Sequence, residues 1–306
     1  KMKVLLFLIF FKIFFCIDSK FRQIYDESPE GRPYLYPSGN EASYLIGLSL
    51  CQNVEGMGVY LQVRGMLTDG DCATLYYMAT FLSMSWRINN PVNKNNNGNS
   101  QNNNNNHNNN NQKRFKYVET GSYQGLSAHI VATALASSIG DIDSIIYSHD
   151  LFDETIPDKD VSIIENTGLW ERFMDDSESR LEKFYSNVQR NGYEKMIIPI
   201  SGPSTRTLKI HKDQSAHLVF IDGDHTYQGA FLDLYEGWRI LAPGGWMLVH
   251  DCTPDPNVNE KKSTDSKLEV LEVRQAVRDF VKLYNVSWNL IAQTMYMAGI
   301  QKPYNY

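Results

Sequence analysis

The chain has 306 residues, 42% of them hydrophobic, enough to bury a substantial core as one large domain or two small ones. Its 29 Lys and Arg against 35 Asp and Glu give a formal charge of -6, which argues against a nucleic-acid backbone as partner, because phosphate binding needs a basic face. A small molecule is the expected partner.

The N-terminal stretch KMKVLLFLIFFKIFFCIDSK sets lysines at 1 and 3 before an apolar run from Val4 to Ile17, broken by Lys12, with a polar exit at Asp18 and Ser19. This is the pattern of a signal peptide over residues 1–19. A spanning helix wants about 20 apolar residues, so the expectation is a secreted or secretory-pathway protein without stable membrane insertion after signal removal. Anchoring by an uncleaved segment is the alternative. Of the cysteines at 16, 51, 72 and 252, the first leaves with the signal. Cys51 with Cys72 is the expected disulfide, because Cys252 sits in a motif region.

Residues 20–88 read as an N-terminal extension and the first helices of the domain, with a helix-length apolar stretch from Ala73 to Trp86. Residues 89–114 form an asparagine-rich insertion, 16 of 24 positions from Asn89 to Gln112 being Asn. Such a segment buries too little apolar surface to offset its ordering entropy and is expected to be disordered.

From 115 to 306 strands alternate with helices. The predicted order is a strand at Lys116–Glu119, a glycine turn and a helix at Leu126–Ser138, then a strand at Ser144–Ser148 and a helix at Ser177–Asn191. A third strand, Lys195–Ile200, contains Pro199, unusual for a central position. His217–Ile221 is the fourth strand, Tyr227–Leu241 a helix stopped by Ala-Pro-Gly-Gly, Trp246–His250 the fifth strand and Leu268–Tyr284 a helix. WNLIAQ and MYMAGI close the chain as a hairpin. The pattern predicts an α/β fold with a doubly wound, mostly parallel seven-stranded sheet and an antiparallel closing strand. Ligands bind such sheets beyond the carboxyl ends of the strands.

Three constellations lie there. In VETGSYQG, Gly121 permits a tight turn and the close approach of a ligand, and the helix start after Gly125 offers unpaired N–H groups. The spacing is G-x-x-x-G, whereas a dinucleotide fingerprint needs G-x-G-x-x-G. Asp150 ends the second strand, where a carboxylate can accept from a ribose diol. Asp222, Asp224 and His225 follow the fourth strand, and His250 and Asp251 end the fifth. Asp222 and Asp251 can converge on a hard divalent cation, and either Asp224 or His225 can act as general base. Zinc through His250 and Cys252 is disfavoured, because no second Cys or His pair has the spacing.

The order VETGSYQGLSA, then His149-Asp150, then FIDGDHTYQGAFLDLYEGWRILAPGGWMLVHD, then VRQAVRDF and the hairpin resembles the class I S-adenosylmethionine-dependent methyltransferases, which have a Rossmann-like fold. Within them it is most similar to the small-molecule O-methyltransferases that include the macrocin-type sugar methyltransferases. The resemblance implies that Glu119, Gly121 and Ser122 line the methionine end of S-adenosylmethionine, that Asp150 holds its ribose, that Ser204 approaches the adenine and that Asp222 lies at the cofactor too. It further implies that Asp222 and Asp251 hold a divalent metal, usually Mg2+, although Cys252 stands where metal-dependent members commonly place a third ligand. Methyl transfer to a small-molecule hydroxyl is the function implied, with Asp224 slightly ahead of His225 as base. A cofactor-binding secretory module without turnover is the alternative, because that cofactor is made in the cytosol. The absent third glycine and the closing hairpin disfavour a nicotinamide oxidoreductase.

Overall fold

The computed structural model describes residues 53–54, 57–58, 61–63, 65–90, 114–139, 144–153, 179–252, 265–290 and 297–305. The expected signal peptide, Cys51 and all of the asparagine-rich insertion except its first two residues and its last lie outside them, as do the loops at 154–178 and 253–264. Apart from a two-residue antiparallel pairing of Asn53–Val54 with Met57–Gly58, the described strands belong to one sheet. They are β1 (Lys116–Thr120), β2 (Ile145–Asp150), β3 (Ile197–Ser201), β4 (Ala216–Ile221), β5 (Leu241–Val249), β6 (Trp288–Leu290) and β7 (Ala298–Gln301). Their spatial order is β3-β2-β1-β4-β5-β7-β6. β1 to β5 are mutually parallel, and β7 runs antiparallel to both β5 and β6.

The helices are α1 (Asp69–Asn89), α2 (Leu126–Ile139), α3 (Arg180–Arg190), the single turn α4 (Ser204–Thr207), α5 (Tyr227–Ile240) and α6 (Asp265–Tyr284). Side-chain alternation along the strands feeds two cores. Tyr117, Leu218, Phe220 and Leu248 face a cluster with Leu75, Tyr76, Ile130, Leu135 and Phe184 from α1, α2 and α3. Val118, Val219, Ile221, Met247 and Val249 face Leu234, Trp238, Val277 and Phe280 from α5 and α6. With both faces covered, uninterrupted apolar strands are what burial requires.

The strands and helices agree with the expectation within a few residues at their ends, with one informative difference. Helix α5 passes directly into β5 at Leu241, which pairs with Ala216, and the register then jumps so that Leu218 pairs with Trp246. Ala242-Pro243-Gly244-Gly245 is therefore a bulge within the strand, with Gly244 at φ +79°. Lys302 fixes it: its buried ammonium donates to the carbonyls of Trp238 at 2.7 Å and Leu241 at 2.9 Å, closing the C-terminal end of α5. Pro199 is explained by position, since β3 is an edge strand and needs no donor on its open side. The order reverses between β1 and β4, so the crevice of the sheet opens over their carboxyl ends.

Candidate active site

At the end of β1 the chain turns at Gly121 (φ +76°), whose N–H donates to the His149 carbonyl at 2.9 Å. A β-carbon on Gly121 would lie 1.7 Å from the Asp222 carbonyl oxygen, and one on Gly125 would lie 2.8 Å from the Phe184 ring. The close approach these glycines permit includes that of the protein's own β4 loop and α3.

Glu119 and Ser122 differ from expectation. Glu119 is fully buried, with Tyr117 and Ser148 hydroxyls donating to it at 2.8 Å each. Burial raises its carboxyl pKa, against the pull of Ser127, Ser148, Tyr117 and Ser122. Ser122 is buried and turned toward the His149 carbonyl. Both side chains stand behind the loop and organise it from within, where lining the crevice was expected.

Asp150 is half-buried at the mouth. Its Oδ2 accepts from the Tyr123 N–H at 2.7 Å and its Oδ1 from the Phe152 N–H at 2.8 Å. Tyr123 and Phe152 both have φ +49°. Bulky residues rarely adopt that region, and here two of them grip one carboxylate. Burial raises the Asp150 pKa, and the two N–H donors oppose it.

The densest chemistry lies over β4 and β5. His250 Nδ1 is 3.0 Å from Asp222 Oδ1 and 3.5 Å from Asp251 Oδ2, while His225 Nε2 is 3.3 Å from Asp251 Oδ2 and 3.8 Å from Asp222 Oδ1. On the far side His250 Nε2 meets Asp71 Oδ2 of α1 at 3.2 Å. Asp251 reaches the cluster from a left-handed backbone, φ +51°. Although burial works against its charge, contact with His250 and His225 holds the Asp222 carboxyl down at about 2. Burial likewise opposes a charged His250, but Asp222 first, then Asp251 and Asp71, outweigh it and raise its pKa well above the usual imidazole range.

The structure places three further residues. Asp224 is exposed and folds back on its own helix, its Oδ1 accepting from the Thr226 N–H at 2.8 Å and its carboxyl group covering Gly229; the residue that joins Asp222 and Asp251 is His225. Ser204 faces the Asp233 carboxyl of α5 beneath the β4 loop. Cys252 is fully buried in the core with α6, its thiol pushed by burial up to about 12. The third group beside Asp222 and Asp251 precedes Asp251 in sequence and is His250. In the sequence His250 stands beside Asp251 at a strand end and as a weak zinc ligand, whereas Asp71 shows only the spacing of a helix cap with Thr68. Cys72 is buried in α1, and its expected partner Cys51 lies outside the described residues.

Residues 118–252 match a family model described as a methyltransferase domain. Over that stretch the chain is similar to a methyltransferase domain. A Mycobacterium sp. (strain JLS) protein named as an O-methyltransferase is 39% identical over 79 residues, 26% of this chain. The match spans about a third of that relative's length, 34%. A solved structure of a Staphylococcus aureus protein assigned as a caffeoyl-CoA O-methyltransferase is 13% identical, with a TM-score of 0.51 over 85% of this chain and 99% of that one. The O-methyltransferase NovP is 16% identical, with a TM-score of 0.51 over 78% of this chain and 83% of its own. At these identities the two structures establish the methyltransferase fold, including the antiparallel closing strand.

Proposed function

We propose that the protein transfers a methyl group from S-adenosylmethionine to a hydroxyl of a small molecule. The observation that carries the reading is that one crevice joins a braced carboxylate, Asp150, to the cluster of Asp222, His225, His250 and Asp251. The O-methyltransferase names of the Mycobacterium relative and of the two solved structures support an oxygen acceptor.

Asp150 suits a ribose diol, because a carboxylate offers about four lone-pair sites and the Tyr123 and Phe152 N–H groups use only one on each oxygen. Bound cofactor supplies an electrophilic methyl on a sulfonium sulfur, which departs neutral with the bonding pair. The acceptor oxygen provides the electron pair for the new O–C bond, and its proton passes to His225, half-buried at the mouth beside Asp222 and Asp251. These two carboxylates stabilise the imidazolium so formed and help to align the acceptor, which is the main demand of the reaction.

A divalent cation is an optional part of the reading. Asp222, His250 and Asp251 each offer a ligand atom within 4.8 Å of the others, and His250 has its other nitrogen on a carboxylate, as metal-bound histidines commonly do. Two carboxylates and an imidazole suit Mn2+ or Zn2+ at least as well as Mg2+, which prefers oxygen. Such a cation lowers the pKa of a bound hydroxyl.

Secretory localisation belongs to the same proposal. It rests on the N-terminal pattern, and in the secretory pathway the sequon Asn285-Val286-Ser287, whose Asn285 is exposed at the end of α6, becomes usable. Mass spectrometry of the native protein reads signal removal and glycosylation together. Secretion also motivates the second reading, a cofactor-binding module without turnover.

Calorimetric titration of the full chain with S-adenosylmethionine tests the first step. The second is a search for labelled methyl in hydroxyl-bearing compounds with and without Mg2+ or Mn2+. Absence of binding overturns the proposal, and binding without product under every metal favours the module.

A further inference from the structure

The family match begins at residue 118, yet one member of the acidic cluster comes from well before it. Asp71 is fully buried in the first turn of α1, where its Oδ2 accepts from the Thr68 N–H at 2.9 Å and the Thr68 hydroxyl at 2.6 Å. The same oxygen meets His250 Nε2 at 3.2 Å, across 179 positions of sequence. A capping box by itself asks for no burial, and a buried carboxylate is costly unless it is bonded. Here the helix cap presents one carboxylate oxygen to a single ring nitrogen.

An imidazole held at one nitrogen can still swing; held at both ends it cannot. With Nε2 on Asp71, it is Nδ1 that stands 3.0 Å from Asp222 and 3.5 Å from Asp251. We propose that Asp71 is the positioning residue of the site: through its contact with His250 it fixes the ring whose other nitrogen sets the Asp222 and Asp251 carboxylates at the crevice. Helix α1 is therefore a working part of the site, although the asparagine-rich tract separates it from every other contributor. What the site does rests on the methyltransferase reading, whereas the placement of His250 does not.

Long-range proton–nitrogen spectra of the histidine rings in the full chain test this. The expected result is a solvent-protected proton on His250 Nε2, identified by its loss in His250→Gln. In Asp71→Asn, which keeps an oxygen for the Thr68 cap, that resonance shifts or disappears while helix content stays wild-type. Asp69→Asn, at an exposed position of the same turn, leaves it unchanged. Absence of a protected Nε2 proton in the wild type overturns the proposal whether or not Asp71→Asn folds, and so does a folded Asp71→Asn with wild-type His250 resonances. Cofactor titration of the wild type separates the two ideas: no binding with the His250 signature intact overturns the methyltransferase reading and supports the Asp71 assignment.

Discussion

The backbone of Gly121 lies against the carbonyl of Asp222, so close that a β-carbon would stand 1.7 Å from the oxygen. The loops after β1 and β4 touch through bare backbone, and the crevice is built on that contact. Gly121→Ala adds a left-handed backbone penalty of about 1–2 kcal/mol to overpacking of about 1–3 kcal/mol. Denaturant unfolding is expected to show a loss of that combined order. A variant within experimental error of wild type would mean the two loops do not meet as described.

Neighbouring Asp224 and His225 provide a sharp comparison. His225→Ala is expected to lower methyl transfer by about 10²–10⁴-fold, the usual contribution of a general base. Asp224→Ala removes a turn-stabilising bond to the Thr226 N–H and should leave most of the rate. Rates measured with the acceptor found by the product search check this, and the opposite ranking returns the base role to Asp224.

Cys252 is expected to be inert. Its thiol is fully buried and held at about 12, so at neutral pH it has almost no thiolate, the reactive form. A thiol reagent should leave it unmodified in the native protein and modify it on unfolding. Cys252→Ala should also leave any divalent-cation affinity unchanged, because the ligand atoms brought together are those of Asp222, His250 and Asp251.

Asp233 makes stability depend on pH. It lies fully buried under Gly223, facing the hydroxyls of Ser204 and Thr120 without full hydrogen-bond geometry, and burial raises it to about 7. Because the folded value exceeds the unfolded one, the protonated form favours folding: its contribution is complete below about 4 and is lost as pH rises through about 7. Asp233→Asn should remove that slope and, at pH 8, stabilise the protein by an amount on the order of a few kcal/mol. Thermal unfolding of both proteins from pH 5 to 8 checks the sign.

The sheet was legible because strands buried on both faces read as unbroken apolar runs and the helices between them keep a 3.6-residue spacing. Asp222, Asp251 and Asp150 were legible for a related reason, since an ionisable group directly after such a strand falls at the crevice. Glu119 and Ser122 misled because the same end-of-strand rule says nothing about which way a side chain turns, and here a nest of hydroxyls draws both inward. The choice between Asp224 and His225 depends on a turn that folds one carboxylate back onto Gly229, which no spacing announces. Asp71 was illegible because its meaning lies in a partner 179 positions away.

Pro199, set in the edge strand β3, has a consequence for the company this chain keeps. A strand edge recruits other strands through its row of unpaired N–H and C=O groups, and proline interrupts the row of donors. That margin is thus a poor template for sheet extension, in a chain whose asparagine-rich tract has a composition suited to cross-β ladders. The folded domain gives that tract little to grow from.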